Sequence, residues 1–155
     1  MHRIDTGDDD LSVNSSGAIH LPISTLSIST CRICKDGIIE PCQSPWASNI
    51  VLARKKDGTM RCCIDYRQLN NCTVGDAYPV PHQDMCLDAL AGSRWYSTCD
   101  LRSSFHQVKL DLDASDKTAF ITRRGMFRYR TMPFGLTNAV ATFQRLMAWY
   151  CLASV

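Results

Sequence analysis

Two strand-like runs joined by an Asp-Gly turn constrain the fold of this chain more than any other feature. Residues 50–54 form an apolar run that ends on a basic side chain, and residues 60–65 form a second run of similar length. Between them, Lys55-Lys56-Asp57-Gly58-Thr59 contains the Asp-Gly pair that is typical of tight hairpin turns. The sequence therefore predicts a β-hairpin with a basic tip.

Further elements follow this hairpin in a mixed order. Met85, Ala89 and Leu90 have helical spacing before Gly92, which predicts a short helix that ends near that glycine. Residues 95–101 and 105–110 are rich in aromatic and β-branched residues and predict two strands, the first of which ends near an acid.

The last third of the chain predicts another hairpin and a helix. Residues 118–122 and 127–131 flank a turn that contains Gly125, and Thr137 or Asn138 is placed to cap a helix that runs towards the C-terminus. The whole order of hairpin, helix, strands, hairpin and helix predicts an α+β fold.

Composition limits the classes of protein. The chain has 155 residues, of which 45% are apolar and 21% charged, as expected for one globular domain. No apolar run approaches the roughly 20 residues that a membrane helix needs, so we expect no membrane partner. Residues 1–34 are predicted to be a poorly ordered arm or linker, because residues 6–30 are rich in Ser, Thr, Gly and Asp, and residues 35–155 are predicted to be the folded region.

The nine cysteines do not by themselves indicate disulfides. Their number is odd, and the chain opens MHRIDTGDDD, which is unlike a secretory leader. Reduced thiols are the expectation. The sequence carries no targeting signal that assigns a compartment, so localisation stays unknown, with the cytoplasm as the default.

Several motifs, in order, carry a resemblance to a known family. They are GIIEPCQSPWASNIVLARKKDGTMRCCIDYRQLNN, then YPVPHQDMCLDALAGSRWYSTCDLRSSFHQVKLDLDASDKTAFIT, then YRTMPFGLTNAVATFQRLM. Together they resemble the reverse transcriptase domain of gypsy-type long-terminal-repeat retrotransposons, which is one part of a Pol polyprotein. The resemblance implies the fingers and a partial palm of a right-hand polymerase, with the first hairpin in the fingers.

The resemblance also implies a metal-dependent nucleotidyl transfer. Asp100, in STCDLRSSF, matches the first metal-binding and catalytic aspartate of the family, and the carbonyl of Leu101 is a further candidate ligand. Two Mg²⁺ or Mn²⁺ ions would stabilise the charge that develops on the phosphate. Without the flanking motif, an aspartate at a strand end is an ordinary turn or cap residue.

Nucleotide contacts are implied at both ends of the folded region. Lys55, Lys56 and Arg61 match the fingers residues that close on the incoming triphosphate, although lysines at a hairpin tip are also ordinary solvated residues. Phe105 matches the aromatic residue that presses on the sugar and rejects a 2′-hydroxyl.

Phe134 and Gly135, in the PFG loop, match the wall around the nascent base pair. For Phe105 and Phe134 a role in the hydrophobic core is the alternative. The implied partners are an RNA or DNA template with its primer and deoxynucleoside triphosphates.

The chain also departs from the family pattern. The Tyr-x-Asp-Asp turn that carries two further metal carboxylates is not present, and Ser104 stands where the family commonly has glycine. We therefore expect a fragment that lacks the remainder of the polyprotein, that is inactive alone and that binds no metal tightly.

Two other functions stay open. A non-catalytic fragment could bind nucleic acid or a protein partner through Lys55, Lys56 and Arg61 together with an arginine cluster at residues 123, 124, 128 and 130. A zinc module on Cys31 and Cys34 is the other, since C-x-x-C is half of a common zinc site.

Overall fold

The computed structural model describes residues 1–7, 36–58, 60–79 and 82–152. Within these residues there are five strands, four α-helices and one short 3₁₀ helix. In chain order they are β1 (Ile39–Pro41), β2 (Asn49–Arg54), β3 (Met60–Asp65), α1 (Arg67–Cys72), α2 (Gln83–Leu90), the 3₁₀ helix (Ser104–Gln107), α3 (Leu112–Lys117), β4 (Phe120–Thr122), β5 (Gly125–Tyr129) and α4 (Ala139–Leu152). The predicted α+β fold is confirmed.

The first hairpin forms as the turn chemistry predicts. β2 and β3 pair antiparallel from Asn49 opposite Asp65 to Arg54 opposite Met60. Gly58 has a φ of +82°, which favours glycine, and its amide donates a 3.0 Å hydrogen bond to the carbonyl of Lys55. This hairpin makes a two-stranded sheet of its own.

The second hairpin lies in a three-stranded sheet of order β1-β5-β4. β4 and β5 pair antiparallel around the turn residues Arg123 and Arg124, as predicted. β1 adds to the other edge of β5, with Glu40 opposite Arg128. The sequence did not predict β1, because three residues that end in proline are too few for a periodic pattern.

The two predicted helices are confirmed. α2 ends at Leu90, and Gly92 follows with a φ of +84°, as a C-terminal glycine should. α4 starts at Ala139, directly after Asn138. α3, which the sequence did not predict, has a side-chain cap: Asp111 accepts a 2.9 Å hydrogen bond from the amide of Ala114.

The predicted strand at residues 95–101 is wrong. This segment has no regular secondary structure and is exposed throughout, with Trp95 92% exposed. High β-propensity does not make a strand where no neighbouring strand pairs with it. The predicted strand at residues 105–110 begins instead with the 3₁₀ helix, and only Lys109 and Leu110 form isolated bridges, to Thr131 and His2.

The start of the chain differs from the predicted arm. His2 bridges to Leu110 in parallel, and Ile4 is only 5% exposed. Lys117 donates a 2.7 Å hydrogen bond to the carbonyl of Ile4, and Val74 donates one of 2.8 Å to the carbonyl of Asp5. Residues 1–7 therefore pack against the folded region, whereas the rest of the predicted arm, residues 8–34, lies outside the described residues.

Two hydrophobic clusters form the core. The larger one lies under α1, α3 and the start of α4, and its buried members are Ile4, Tyr66, Leu69, Val108, Leu110, Ala114, Met132, Leu136 and Ala139. The smaller one, of Ile39, Ile50 and Phe120, joins the two sheets. Among the described residues no helix is long and apolar enough to cross a membrane.

Candidate active site

The β2–β3 hairpin carries the cationic residues that were predicted to contact triphosphate. Lys55 and Lys56 are exposed at its tip. Arg61 lies on β3, with its backbone opposite Ala53. Lysine ammonium groups on a solvated turn are point charges that suit phosphate oxygens.

Asp100 and Leu101 lie in the exposed segment before the 3₁₀ helix, with Leu101 40% exposed. No ion pair joins the Asp100 carboxylate to another described residue. The carboxylate is thus solvated, and it is not delivered by a strand as the sequence predicted.

A tight turn separates Asp100 from Phe105. Ser103 adopts the left-handed conformation with a φ of 51°, and its carbonyl accepts a 2.9 Å hydrogen bond from the amide of His106. Ser104, at the position where the resemblance led us to expect glycine, follows inside the 3₁₀ helix. Because the left-handed residue is Ser103, the serine at position 104 causes no backbone strain.

Phe105 and Phe134 come together although 29 positions separate them. Their ring centroids are 4.9 Å apart in an edge-to-face arrangement, and Phe143 of α4 contacts Phe105 in the same way at 5.5 Å. Phe105 is half-buried against the larger core cluster, while Phe134 is 45% exposed. One ring therefore packs into the core and supports another that faces solvent.

The loop after Phe134 is held by Asn70 of α1. The Asn70 side chain donates a 2.8 Å hydrogen bond to the carbonyl of Gly135 and accepts one of 2.9 Å from the amide of Thr137. Gly135 has a φ of +94°, and an added Cβ would lie 3.7 Å from the ring of Tyr66. The role of Asn70 could not be predicted from the sequence, since nothing local marks an asparagine whose partners lie more than 60 positions away.

His106 is a second residue whose role no sequence pattern indicates. Its ring stacks on Tyr129 at 6.1 Å and meets Phe134 edge-on at 5.5 Å. Burial lowers the pKa of this imidazole, so it is neutral at physiological pH. Its buried Nδ1 has no hydrogen-bond partner among the described residues. His106 therefore contributes an uncharged ring to the aromatic cluster.

A match to a known protein family identifies the family of this chain. Residues 53–151, from the fingers hairpin into α4, match the family described as "Reverse transcriptase (RNA-dependent DNA polymerase)". The chain belongs to the reverse transcriptase family. The match contains both predicted nucleotide-contacting regions and Asp100.

Relatives of this reverse transcriptase chain include transposon polyproteins. The chain is 43% identical over 116 residues to the retrovirus-related Pol polyprotein from transposon 297 of Drosophila melanogaster. The aligned region covers 72% of this chain and 11% of that protein. An RNA-directed DNA polymerase homolog from Oenothera berteroana is 47% identical over 89 residues, covering 57% of this chain and 63% of the relative. The chain thus spans about a tenth of the transposon polyprotein.

A solved reverse transcriptase shares the fold. The protease-reverse transcriptase of prototype foamy virus superposes with a TM-score of 0.81 at 23% identity, over 95% of this chain and 20% of that one. A second structure of the foamy viral enzyme, in complex with an RNA/DNA hybrid, has a TM-score of 0.80. This likeness confirms the polymerase fold predicted from the sequence.

The reverse transcriptase family is metal-dependent, so the residues of this chain that could ligate a metal ion are of interest. Asp100 and the carbonyl of Leu101 supply oxygen ligands, but no three His, Cys, Asp or Glu side chains converge as a metal site in the part of the chain that the structure describes. The described residues therefore do not complete a two-metal site. The predicted zinc pair, Cys31 and Cys34, lies outside the described residues.

The arginine cluster predicted from the sequence divides into two groups. Arg128 donates hydrogen bonds to Glu40 and Asp116, and these contacts hold its pKa above the ordinary value. The Nε atom of Arg130 lies 3.5 Å from Oε2 of Glu40. Arg123 and Arg124 lie elsewhere, exposed at the turn between β4 and β5.

Proposed function

We propose that residues 35–155 of this chain form the fingers and the beginning of the palm of an RNA-directed DNA polymerase, with residues 1–7 packed against them. The observation that carries the proposal is the contact between Phe105 and Phe134. Two residues that the resemblance assigns to the nucleotide site are in contact, with Phe105 half-buried and Phe134 open to solvent. An aromatic surface of this kind can contact a sugar or a base.

The triphosphate of an incoming deoxynucleotide is proposed to bind Lys55, Lys56 and Arg61. The two lysines are exposed at the end of a hairpin, and no ion pair joins either of them to another described residue. The sugar is assigned to Phe105, and the nascent base pair to Phe134 and Gly135. The Asn70 hydrogen bonds support this last assignment, because they fix the backbone of the loop that carries both residues.

Asp100 and the carbonyl of Leu101 are proposed to hold Mg²⁺ or Mn²⁺, which would stabilise negative charge on the reacting phosphate when bound. Hard oxygen donors suit both ions. The exposed Asp100 carboxylate is accessible to such an ion without breaking an ion pair to another described residue. Primer and template strands of RNA or DNA are the proposed partners.

A second candidate function is binding of nucleic acid without chemistry. This candidate is favoured because the described residues alone do not bring three metal-ligating side chains together. Both candidates share the phosphate-binding fingers. They differ in whether a matched nucleotide changes the affinity for the template.

The experiment measures the affinity of the chain for a fluorescent RNA/DNA primer–template at low ionic strength with Mg²⁺, with and without a matched deoxynucleoside triphosphate. We expect binding that weakens steeply with salt and tightens with the matched nucleotide but not with a mismatched one. Lys55→Gln/Lys56→Gln should lose the nucleotide effect. We call Lys55 and Lys56, at the end of the β2–β3 hairpin, the fingers tip. The charge-matched variant Arg94→Gln/Lys109→Gln, changed at two exposed positions outside the fingers tip, should keep the nucleotide effect.

Three outcomes separate the candidates. A matched-nucleotide effect supports the polymerase site, whereas salt-dependent binding without that effect supports the binding module. No salt-dependent binding at low ionic strength contradicts both. Any primer extension by the chain would assign chemistry directly, and Asp100→Asn should then abolish it.

A further inference from the structure

The two hairpins of this chain begin side by side and run in the same direction. Ser48, just before β2, bridges in parallel to Phe120 at the start of β4. The amide of Ser48 donates to the carbonyl of Ala119 at 2.8 Å, and the amide of Ile121 donates to the carbonyl of Ser48 at 3.3 Å. Because parallel strands advance together, both hairpin tips lie on the same side of the molecule.

Both tips are basic and exposed. The first carries Lys55 and Lys56, with Arg54 before them and one acidic residue, Asp57, beside them. The second consists of Arg123 and Arg124. Each tip therefore carries a net positive charge, and arginine offers phosphate a bidentate contact that lysine does not.

The spacing of the tips suits one nucleic-acid strand. From the Ser48–Phe120 bridge, β2 continues for six residues to Arg54, while β4 continues for two residues to Thr122. A rise of about 3.4 Å per residue offsets the tips by about 14 Å along the strands. Measured along the axis of a B-form duplex, that offset corresponds to roughly four nucleotides of one strand, at an axial rise of about 3.4 Å each.

The other two arginines of the cluster do not share this surface. Arg128 is engaged by Glu40 and Asp116, and its side chain is only 21% exposed. Arg130 is paired with Glu40. Arg128 lies within β5 and Arg130 just after it, so neither arginine belongs to a hairpin tip.

We infer that the Arg123–Arg124 turn is a second phosphate-binding site, which contacts the sugar-phosphate backbone of the nucleic acid that the fingers tip engages. The inference rests on the proposed nucleic-acid binding and adds a binding site that the resemblance does not assign. The phosphates could belong to the primer–template duplex or to a single-stranded template overhang, which have the same backbone chemistry.

The test measures the salt dependence of binding for two probes, a blunt RNA/DNA hybrid and the same hybrid with a single-stranded template extension. For Arg123→Gln/Arg124→Gln, the slope of log affinity against log salt should fall in magnitude by about 2, that is, by about 1 for each phosphate that the variant no longer binds. A change with both probes assigns the site to the duplex, whereas a change with the extended probe alone assigns it to the overhang.

Two further variants keep the result interpretable. Arg123→Lys/Arg124→Lys retains both charges and should keep the slope close to that of the original chain. Arg94→Gln/Lys109→Gln removes two charges from other exposed positions and should leave the slope unchanged. Lys109 bridges to Thr131, which lies two positions past the end of β5 and six past Gly125, so Lys109 lies away from the turn.

The failure of this inference differs from the failure of the proposed function. If the original chain binds both probes and Arg123→Gln/Arg124→Gln has the same slope, the second site is refuted and the binding function stands. If the original chain binds neither probe at low salt, both are refuted. If the lysine variant loses as much slope as the glutamine variant, the effect comes from altered structure of the turn, and the inference is also overturned.

Discussion

The side-chain amide of Asn70 donates a 2.8 Å hydrogen bond to the carbonyl of Gly135, and its oxygen accepts a 2.9 Å hydrogen bond from the amide of Thr137. One residue of α1 thereby satisfies two backbone groups of a loop 65 positions away. The loop follows Phe134, so its position sets the position of that ring. Asn70 is thus a positioning residue for the proposed nucleotide surface.

Asn70→Ala should lower the free energy of unfolding by about 1–2 kcal/mol, because it leaves the Gly135 carbonyl and the Thr137 amide without their side-chain partner. Urea unfolding measures this directly. The neighbouring Asn71 is exposed, so Asn71→Ala is the matched control and should change stability by no more than about 0.5 kcal/mol. Equal effects of the two substitutions would contradict the bridging role.

Tyr66→Phe should destabilise the fold because it removes one hydrogen bond. The Tyr66 side chain is 2% exposed, and its hydroxyl donates a 3.0 Å hydrogen bond to the carbonyl of the fully buried Thr118. The ring stays, so the expected cost is about 1 kcal/mol. Tyr96→Phe removes the same atom from a side chain that is 59% exposed, and thermal unfolding should show a much smaller change. A larger effect at position 96 would refute this account.

Arg128→Gln should destabilise the β1–β5 pairing more than a comparable change at the surface. The Arg128 side chain is only 21% exposed and pairs with both Glu40 and Asp116, and the substitution removes both ion pairs. We expect a loss of about 1–3 kcal/mol. Arg67 pairs with Asp65 at 2.6 Å but is 86% exposed, so Arg67→Gln should cost less than about 1 kcal/mol. Chemical denaturation of both variants tests the ranking, which the reverse order would overturn.

The stability should fall on acidification because of His2. Burial lowers the pKa of its imidazole, and Asp111, the N-terminus, Asp76 and Arg145 contribute smaller effects of both signs. The folded chain therefore binds this proton more weakly than the unfolded chain, whose imidazole has a pKa near 6.5. The neutral His2 ring therefore contributes its full stabilisation above about pH 6.5. That contribution is lost as the pH falls from there through the lowered pKa of His2 in the folded chain.

Urea unfolding at several pH values from about 7.5 downwards, on the original chain and on His2→Asn, measures this effect. The substitution keeps a polar group near Thr142, whose hydroxyl shares a 2.7 Å hydrogen bond with His2 Nδ1, but removes the titration. We expect a smaller loss of stability with falling pH in His2→Asn. Burial also lowers the pKa of His106, so replacing that residue as well should further reduce the slope of the free energy of unfolding against pH. An unchanged slope in His2→Asn would contradict the assignment.

Local turn chemistry made the two hairpins predictable. Asp57-Gly58 and the Arg123–Gly125 turn specify reversals within a few residues, and the flanking strands need only each other. The helix before Gly92 was predictable for a similar reason, since its stop signal is adjacent. The resemblance to a polymerase family then assigned candidate roles that no local pattern could supply.

Features that depend on distant partners were not predictable in this way. Residues 95–101 have strand-like composition but no paired neighbour, and β1 forms because β5 provides an edge. The packing of residues 1–7 depends on Leu110, Val74 and Lys117, which are far along the chain. Asn70 and His106 likewise gain their roles from loops and rings that only the fold brings near.

The most direct measurement is hydrogen exchange of the chain with an RNA/DNA primer–template and Mg²⁺, compared with matched and mismatched deoxynucleoside triphosphates. If the fingers tip and the Phe134 loop form one nucleotide site, the matched nucleotide should slow exchange in residues 52–58 and 132–138 together. The mismatched nucleotide should leave both segments as they are with primer–template alone. Unchanged exchange in both segments with the matched nucleotide would contradict the proposed site.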